Sequence, residues 1–266
     1  MGKRQLELVM AVLILIGAFY IGRLGAQMQE IHRNLTMSVS AVIKECKVVI
    51  DAGHGGFDSG KVGVGGILEK EINLSIAQKV QKKLTDRGIK TVMTREKDQG
   101  LYDETEENKK QQDMKKRCKL INESGADLAV SIHQNSYTQE SVCGPQVFYY
   151  ETSQDGKKLA EILQESLNQK LQIDRPREIK ANDTYYILKK TEIPTVIAEC
   201  GFLSNSSEAE KLTDEDYQDL VAESICEGIL TFLFLSSADD NMNIVMAMNT
   251  GEDDNVKFES RYSIDY

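Results

Sequence analysis

From Lys47 onward, short apolar runs alternate with longer segments in which apolar residues recur every three or four positions. The first pattern fits buried strands and the second fits helices with one buried face. The spacing predicts strands over Lys47–Ala52, Ile89–Thr94, Asp127–Ile132, Pro145–Tyr150 and Thr195–Glu199, with a shorter one over Tyr185–Leu188. Helices are predicted over Glu69–Arg87, Glu104–Asn122, Gly156–Leu171 and Asp216–Leu233. Ile72, Ile76, Val80 and Leu84 mark the buried face of the first, and Gly88 stops it. A capping box, Ser207-x-x-Glu210, predicts one more short helix. Strand–helix alternation implies a single α/β domain: a twisted, mostly parallel sheet with helices on both faces.

Outside this domain the pattern changes. Lys3 and Arg4 precede an apolar run from Leu8 to Ile21 that has no polar face. A charged start and a short apolar core describe a signal peptide or an N-terminal transmembrane signal-anchor. Cleavage after Ala26 would put Leu24 where a small residue is wanted, so the reading is an uncleaved anchor over residues 1–26. The positive end stays in the cytoplasm and the domain lies outside. Residues 27–46 read as a polar linker, and residues 47–235 as the folded domain. From Ser236 the chain carries Asp239, Asp240, Glu252, Asp253, Asp254, Glu259 and Asp265 against Lys257 and Arg261. That composition predicts an acidic, disordered tail over residues 236–266.

Composition narrows the function classes. The formal net charge of −10 argues against a nucleic-acid binder. Five widely spaced cysteines, Cys46, Cys118, Cys143, Cys200 and Cys226, include no C-x-x-C pair, which removes a zinc ribbon or a dithiol redox site.

The chemistry gathers where strands end. Val48-Val49-Ile50 runs into Asp51-Ala52-Gly53-His54-Gly55-Gly56. Open α/β sheets place ligands outside the carboxyl ends of their strands, and glycine there lets backbone approach closely. Gly55 to Lys61 fits the front of a phosphate-binding loop, G-x-x-x-x-G-K. That motif needs Ser or Thr next and a helix opening at the lysine. Val62 and then Gly63-Val64-Gly65-Gly66 provide neither, so the loop is read as a metal-binding turn instead.

His54 is one of three histidines; His32 sits beside Arg33 in the linker and reads as a solvated surface residue. His133 closes the third strand, at the same sheet edge as His54. Catalytic zinc takes three protein ligands and keeps one position open. Glu69 is the candidate third ligand, because it precedes Ile72 and Ile76 at helical spacing and so faces the sheet, whereas Glu71 points to solvent. A hydrolytic site also needs a base. Glu199 ends an apolar strand as a lone carboxylate, an expensive placement without a chemical use. Cys200, its neighbour, faces the other side of the strand. Asp51 and Asp58 read as supporting groups.

Together, Asp51-Ala52-Gly53-His54-Gly55-Gly56, Leu68-Glu69-Lys70, Thr94-Arg95-x-x-Asp98, Arg117-x-x-x-x-Asn122, Ser131-Ile132-His133-x-Asn135 and Glu199-x-Gly201-Phe202-Leu203-x-Asn205 resemble the zinc-dependent N-acetylmuramoyl-L-alanine amidases. Ala52 stands where that family usually has proline. The resemblance implies Zn2+ held by His54, Glu69 and His133, with Glu199 as the catalytic glutamate. It implies hydrolysis of the amide between the lactyl group of N-acetylmuramic acid and L-alanine in peptidoglycan. An anchor followed by one bare domain is similar to the sporulation and germination amidases of the spore cortex, which act in muramic δ-lactam formation. The implied partners are a peptidoglycan strand with its peptide stem, the membrane, and an activating protein. Arg95 and Arg117 are read as structural rather than as binders of stem carboxylates. Two alternatives compete. Another zinc peptidase would want an H-x-x-E ligand pair, which His54 and Glu69 do not form. An idle wall-binding module would have lost a ligand or Glu199, and all four residues are present.

Overall fold

A computed structural model describes residues 2, 10, 17–25, 27–29 and 45–250, with the backbone alone over 239–250. Most of the expected N-terminal anchor, His32 and residues 251–266 lie outside the described residues. Residues 17–25 are helical and mostly exposed.

The domain is one six-stranded sheet in the order β2-β1-β3-β6-β4-β5. The strands are β1 (Lys47–Ala52), β2 (Lys90–Met93), β3 (Leu128–Asn135), β4 (Gln146–Tyr150), β5 (Lys180–Asn182) and β6 (Thr195–Phe202). Parallel pairing joins β2, β1, β3 and β6, while β4 runs antiparallel to β6 and carries β5 alongside it. The reversal follows from the connection. A parallel pair needs a crossover of a dozen residues or more, and only a ten-residue loop, 136–145, separates β3 from β4.

Strand alternation sorts the core into two unequal halves. Val48, Ile50, Ala52, Leu128, Val130, Ile132, Val196, Ala198 and Cys200 face α1 (Glu69–Asp86), α3 (Gln154–Lys170) and α6 (Glu215–Thr250). Val49, Ala129, Phe148 and Ile197 face the smaller cover of α2 (Lys109–Glu123) and α4 (Tyr186–Lys190). The short α5 (Ser206–Thr213) follows β6.

Four expectations are corrected. Tyr185–Leu188 is no strand: Ile187 and Leu188 are buried on the single turn of α4, and β5 lies just before it. A two-residue apolar pair does not distinguish a strand from a helical turn. The cap of α5 is Asn205, whose side chain accepts from Glu208 N, and not Ser207. Both are followed three residues later by glutamate, and the earlier one captures the helix start. α2 begins at Lys109, capped by Asn108, because Asp113 and Gln112 turn back to satisfy Leu101 N and Asp103 N ahead of it. Finally, α6 runs on to Thr250, through residues expected to be a disordered tail. No glycine or proline interrupts Ile229 to Thr250, and a helix already nucleated on the core propagates through leucine, alanine and methionine at little cost.

Among the described residues, the Glu215–Ala238 part of α6 is the one stretch long and apolar enough to cross a membrane. Val221, Ile225, Ile229 and Phe232 on it are buried in the larger core, so it serves as a core helix.

Candidate active site

The site lies on the thinly covered face, at the carboxyl ends of β1, β3 and β6. His54 leaves β1, Glu69 opens α1, and His133 and Glu199 stand in register on adjacent parallel strands. Registered residues of a parallel pair share a face, so the sheet itself sets His133 beside Glu199.

One carboxylate oxygen collects the cluster. Glu69 Oε1 lies 2.9 Å from His133 Nδ1 and 3.2 Å from His54 Nε2. The three donor atoms all fall within 4.8 Å of one another. Ligands placed ~2.1 Å from zinc in a tetrahedron stand about 3.4 Å apart, so this spacing suits that ion. Two imidazole nitrogens and one carboxylate are also the donor chemistry zinc accepts.

The surroundings fix each donor. Asp58 Oδ2 sits 2.9 Å from His54 Nδ1 and leaves Nε2 turned inward. Glu69 Oε2 accepts Lys61 N at 2.7 Å, and Oε1 also accepts Gln134 N at 3.1 Å. Asn73, fully buried one turn along α1, spans from Gly53 O to Glu69 Oε1 and accepts from Gln134 Nε2. Only glycine fits at 53, because a Cβ there would meet the His133 ring at 2.3 Å. Gly60 is similarly forced: its φ is +68°, and a Cβ would lie 2.5 Å from Glu69 Oε2.

His54 itself has φ 61°, an uncommon backbone conformation for a side-chain-bearing residue. Two buried arginines hold that turn. Arg117 donates to His54 O at 2.6 Å and Ala52 O at 2.8 Å. Arg95 donates to Ala52 O, Gly53 O and Lys70 O at 2.9, 3.0 and 2.8 Å. Arg117 is itself ion-paired with Asp51 at 2.6 Å and Asp113 at 2.6 Å. The structural reading of both arginines matches this geometry. Burial pushes the Asp51 carboxyl up, but Arg117, Ser131 and Thr94 outweigh it and hold the group near about 2.

The charges in the cluster shift one another. Burial pulls His54 down, yet its bonds to Asp58 and Glu69 raise it to about 9. Burial also pushes Glu69 up, and the two histidines more than reverse this, holding it far below the usual carboxylate range. Glu199 behaves differently. Burial dominates, His133 opposes it and the Glu69 charge adds to it, leaving Glu199 raised to about 7. Among the described residues, its Oε2 is buried with no hydrogen-bond partner. Cys200 faces the larger core, away from the site.

Residues 48–231 match the family model described as N-acetylmuramoyl-L-alanine amidase. The chain belongs to the N-acetylmuramoyl-L-alanine amidase family. It is 39% identical over 188 residues to the germination-specific N-acetylmuramoyl-L-alanine amidase of Bacillus subtilis, covering 70% of this chain and 78% of that one. The amidase also superimposes on the solved CwlD amidase from Clostridioides difficile, in complex with the GerS lipoprotein, with a TM-score of 0.70. There the identity is 39%, covering 72% of this chain and 100% of the other. An N-acetylmuramoyl-L-alanine amidase from Clostridium difficile 630 gives a TM-score of 0.64 at 34% identity, covering 71% and 96%. The domain is thus an amidase acting on peptidoglycan, with the mostly parallel α/β fold of its relatives.

Sequence reasoning missed Asn73 and Gln134. A polar residue beside Ile72, on the face that α1 turns to the sheet, was the available signal for Asn73. Gln134 had none, since polar residues at strand ends are common.

Proposed function

We propose that the amidase is a zinc hydrolase of the bond between the lactyl carbonyl of N-acetylmuramic acid and L-alanine, working in spore-cortex modification and muramic δ-lactam formation. The observation that carries the zinc reading is the convergence of His54 Nε2, His133 Nδ1 and Glu69 Oε1. When bound, zinc supplies Lewis acidity toward the amide carbonyl and the attacking water. Glu199 does the proton work. Its carboxylate takes a proton from the water as the oxygen attacks, and returns it to the alanine nitrogen as the C–N bond breaks. The products are the muramic lactyl acid and a free amine. Amine expulsion needs that proton, and burial of the Glu199 side chain favours its protonated form, which can deliver it. Asp58 orients His54, and the arginine-held turn keeps it in place.

The spore reading is supported by the germination-specific relative. A protein partner is supported by the CwlD structure being a complex with a lipoprotein. The apolar N-terminal run supports an anchored or exported chain with an extracytoplasmic domain.

Two measurements test this. Zinc content and muropeptide products are measured on the same preparations, with one zinc per chain and free L-alanyl stems expected. His133→Ala retaining full, tight zinc would sink the ligand assignment. Cortex muropeptides from spores lacking the amidase should lack δ-lactam, and normal lactam there would remove the spore role.

A further inference from the structure

The register of β6 slips just past Glu199. His133 pairs with Glu199, and the next pair is Asn135 with Phe202, so three steps on β6 match two on β3. That extra residue is a bulge, and it returns Phe202 to the face that carries Glu199. Phe202 is nearly fully buried, and what lies over its ring is the guanidinium of Arg177, 4.9 Å from the centroid. The neighbouring chain holds Arg177 there: Gln146, registered opposite Glu199 on β4, donates to Glu178 O at 2.9 Å. Arg177 also packs its stem 3.8 Å from where a Cβ on Gly144 would sit.

This arginine is unspent. Among the described residues it forms no ion pair, and its Nε is buried with no acceptor. The nearby Glu208 carboxylate is already committed to Phe202 N and Gly144 N, both at 2.8 Å. Arg95 and Arg117, by contrast, each donate from Nε, Nη1 and Nη2 to protein oxygens. A guanidinium stacked on the strand that carries Glu199 has the chemistry to receive an anion. The family's substrate supplies one kind of anion. The lactyl carboxyl of muramic acid is consumed in the amide, so the N-acetylated sugar side carries no carboxylate. The peptide stem does.

We propose that Arg177, on its Phe202 platform, is a subsite for a carboxylate of the peptide stem, and that it sets which side of the scissile amide lies along the β6–β4 edge. The proposal rests on the amidase reading for the identity of the ligand. Arg177 is a specificity residue and takes no part in proton transfer.

The test uses the zinc-loaded full-length chain and two muramoyl peptides, one with its stem carboxyls free and one with them amidated. The wild type should favour the free-carboxyl peptide through KM. Arg177→Met should lose about tenfold to a hundredfold in kcat/KM on that peptide, mostly in KM. On the amidated peptide it should stay within about twofold of wild type. Arg177→Lys should recover part of the difference, and added salt should erode it. Equal losses on both peptides, or a wild type indifferent to amidation, would overturn the subsite. Should the wild type cleave neither peptide, the amidase reading fails instead. Calorimetric binding of the free-carboxyl peptide to wild type and Arg177→Met then still decides the subsite, with equal affinities counting against it.

Discussion

The two faces of the sheet are made of different materials. On one, α1, α3 and α6 bury a continuous apolar layer from Val48 to Leu233. On the other, a small apolar patch under α2 and α4 gives way toward the carboxyl edge to Asp51, Arg117, Ser131, His133 and Glu199, all but His133 buried. Fully buried charge costs stability unless it is paired. The domain carries that cost on one face because the other supplies apolar burial in excess. Chemistry and cohesion therefore lie largely on different faces, joined where α1 brings Glu69 and Asn73 to the site, and substitutions should mostly sort by face.

The largest effect should come from Glu199→Gln, which keeps the shape but cannot take a proton. Turnover should fall about 10²–10⁴-fold, in kcat more than KM, with bound zinc unchanged. Near-normal muropeptide turnover would remove Glu199 as the base. The same variant carries a pH signature in metal-free protein. A carboxyl whose folded pKa is raised stabilises the fold below its unfolded value and loses that contribution as pH rises through about 7. Metal-free wild type should therefore melt below Glu199→Gln at pH 8 and match it near pH 4. Parallel melting curves at both values would contradict the burial of an unpaired carboxylate.

Next is Arg117→Met, which strands Asp51 in the interior and frees the His54 turn. A broken buried pair costs about 3–5 kcal/mol, and zinc affinity should fall with it. Asp51, held near about 2 by Arg117, contributes stability above its unfolded pKa. Without the arginine that carboxylate becomes a liability relieved by protonation, so the variant's deficit should narrow as pH falls toward 4. Denaturation at pH 7 and pH 4 checks this, and a constant deficit would refute it.

Leu163→Ala is the control from the other face. Leu163 is fully buried where α3 meets Gly228 of α6. It should cost about 2–5 kcal/mol in denaturation while kcat and bound zinc stay the same. A large loss of kcat in still-folded protein would show the faces to be coupled. Smallest should be truncation after Leu235, which removes the end of α6. Turnover within about twofold is expected, and a folded but inactive product would assign the tail a catalytic role.

How much of this was legible in the sequence follows the same division. β1 carried a clear signal because Val48-Val49-Ile50 is apolar on both faces and ends in glycine. The four candidate site residues stood out because each is a polar group at the end of an apolar element, where burial must be justified. Arg177 was not, since it lies in a polar loop and owes its position to a bulge that leaves no trace in composition. The reversed β4 was hidden for a related reason: strand direction is decided by connection length and pairing, and Gln146–Tyr150 reads the same either way. The run of α6 to Thr250 was masked by counting acidic residues, which says little about a helix already anchored by Ile225 and Ile229.

One feature of the strand order bears on how activity arises at all. Remove β6 from β2-β1-β3-β6-β4-β5 and the sheet falls into two unconnected pieces. His54, Glu69 and His133 all come from the N-terminal side of the chain, ahead of β4. Glu199 rides on the strand that splices the halves together. A chain ending before Thr195 would lack both Glu199 and the strand that joins the two pieces of the sheet. The strand that completes the sheet is therefore also the one that brings Glu199 beside His133.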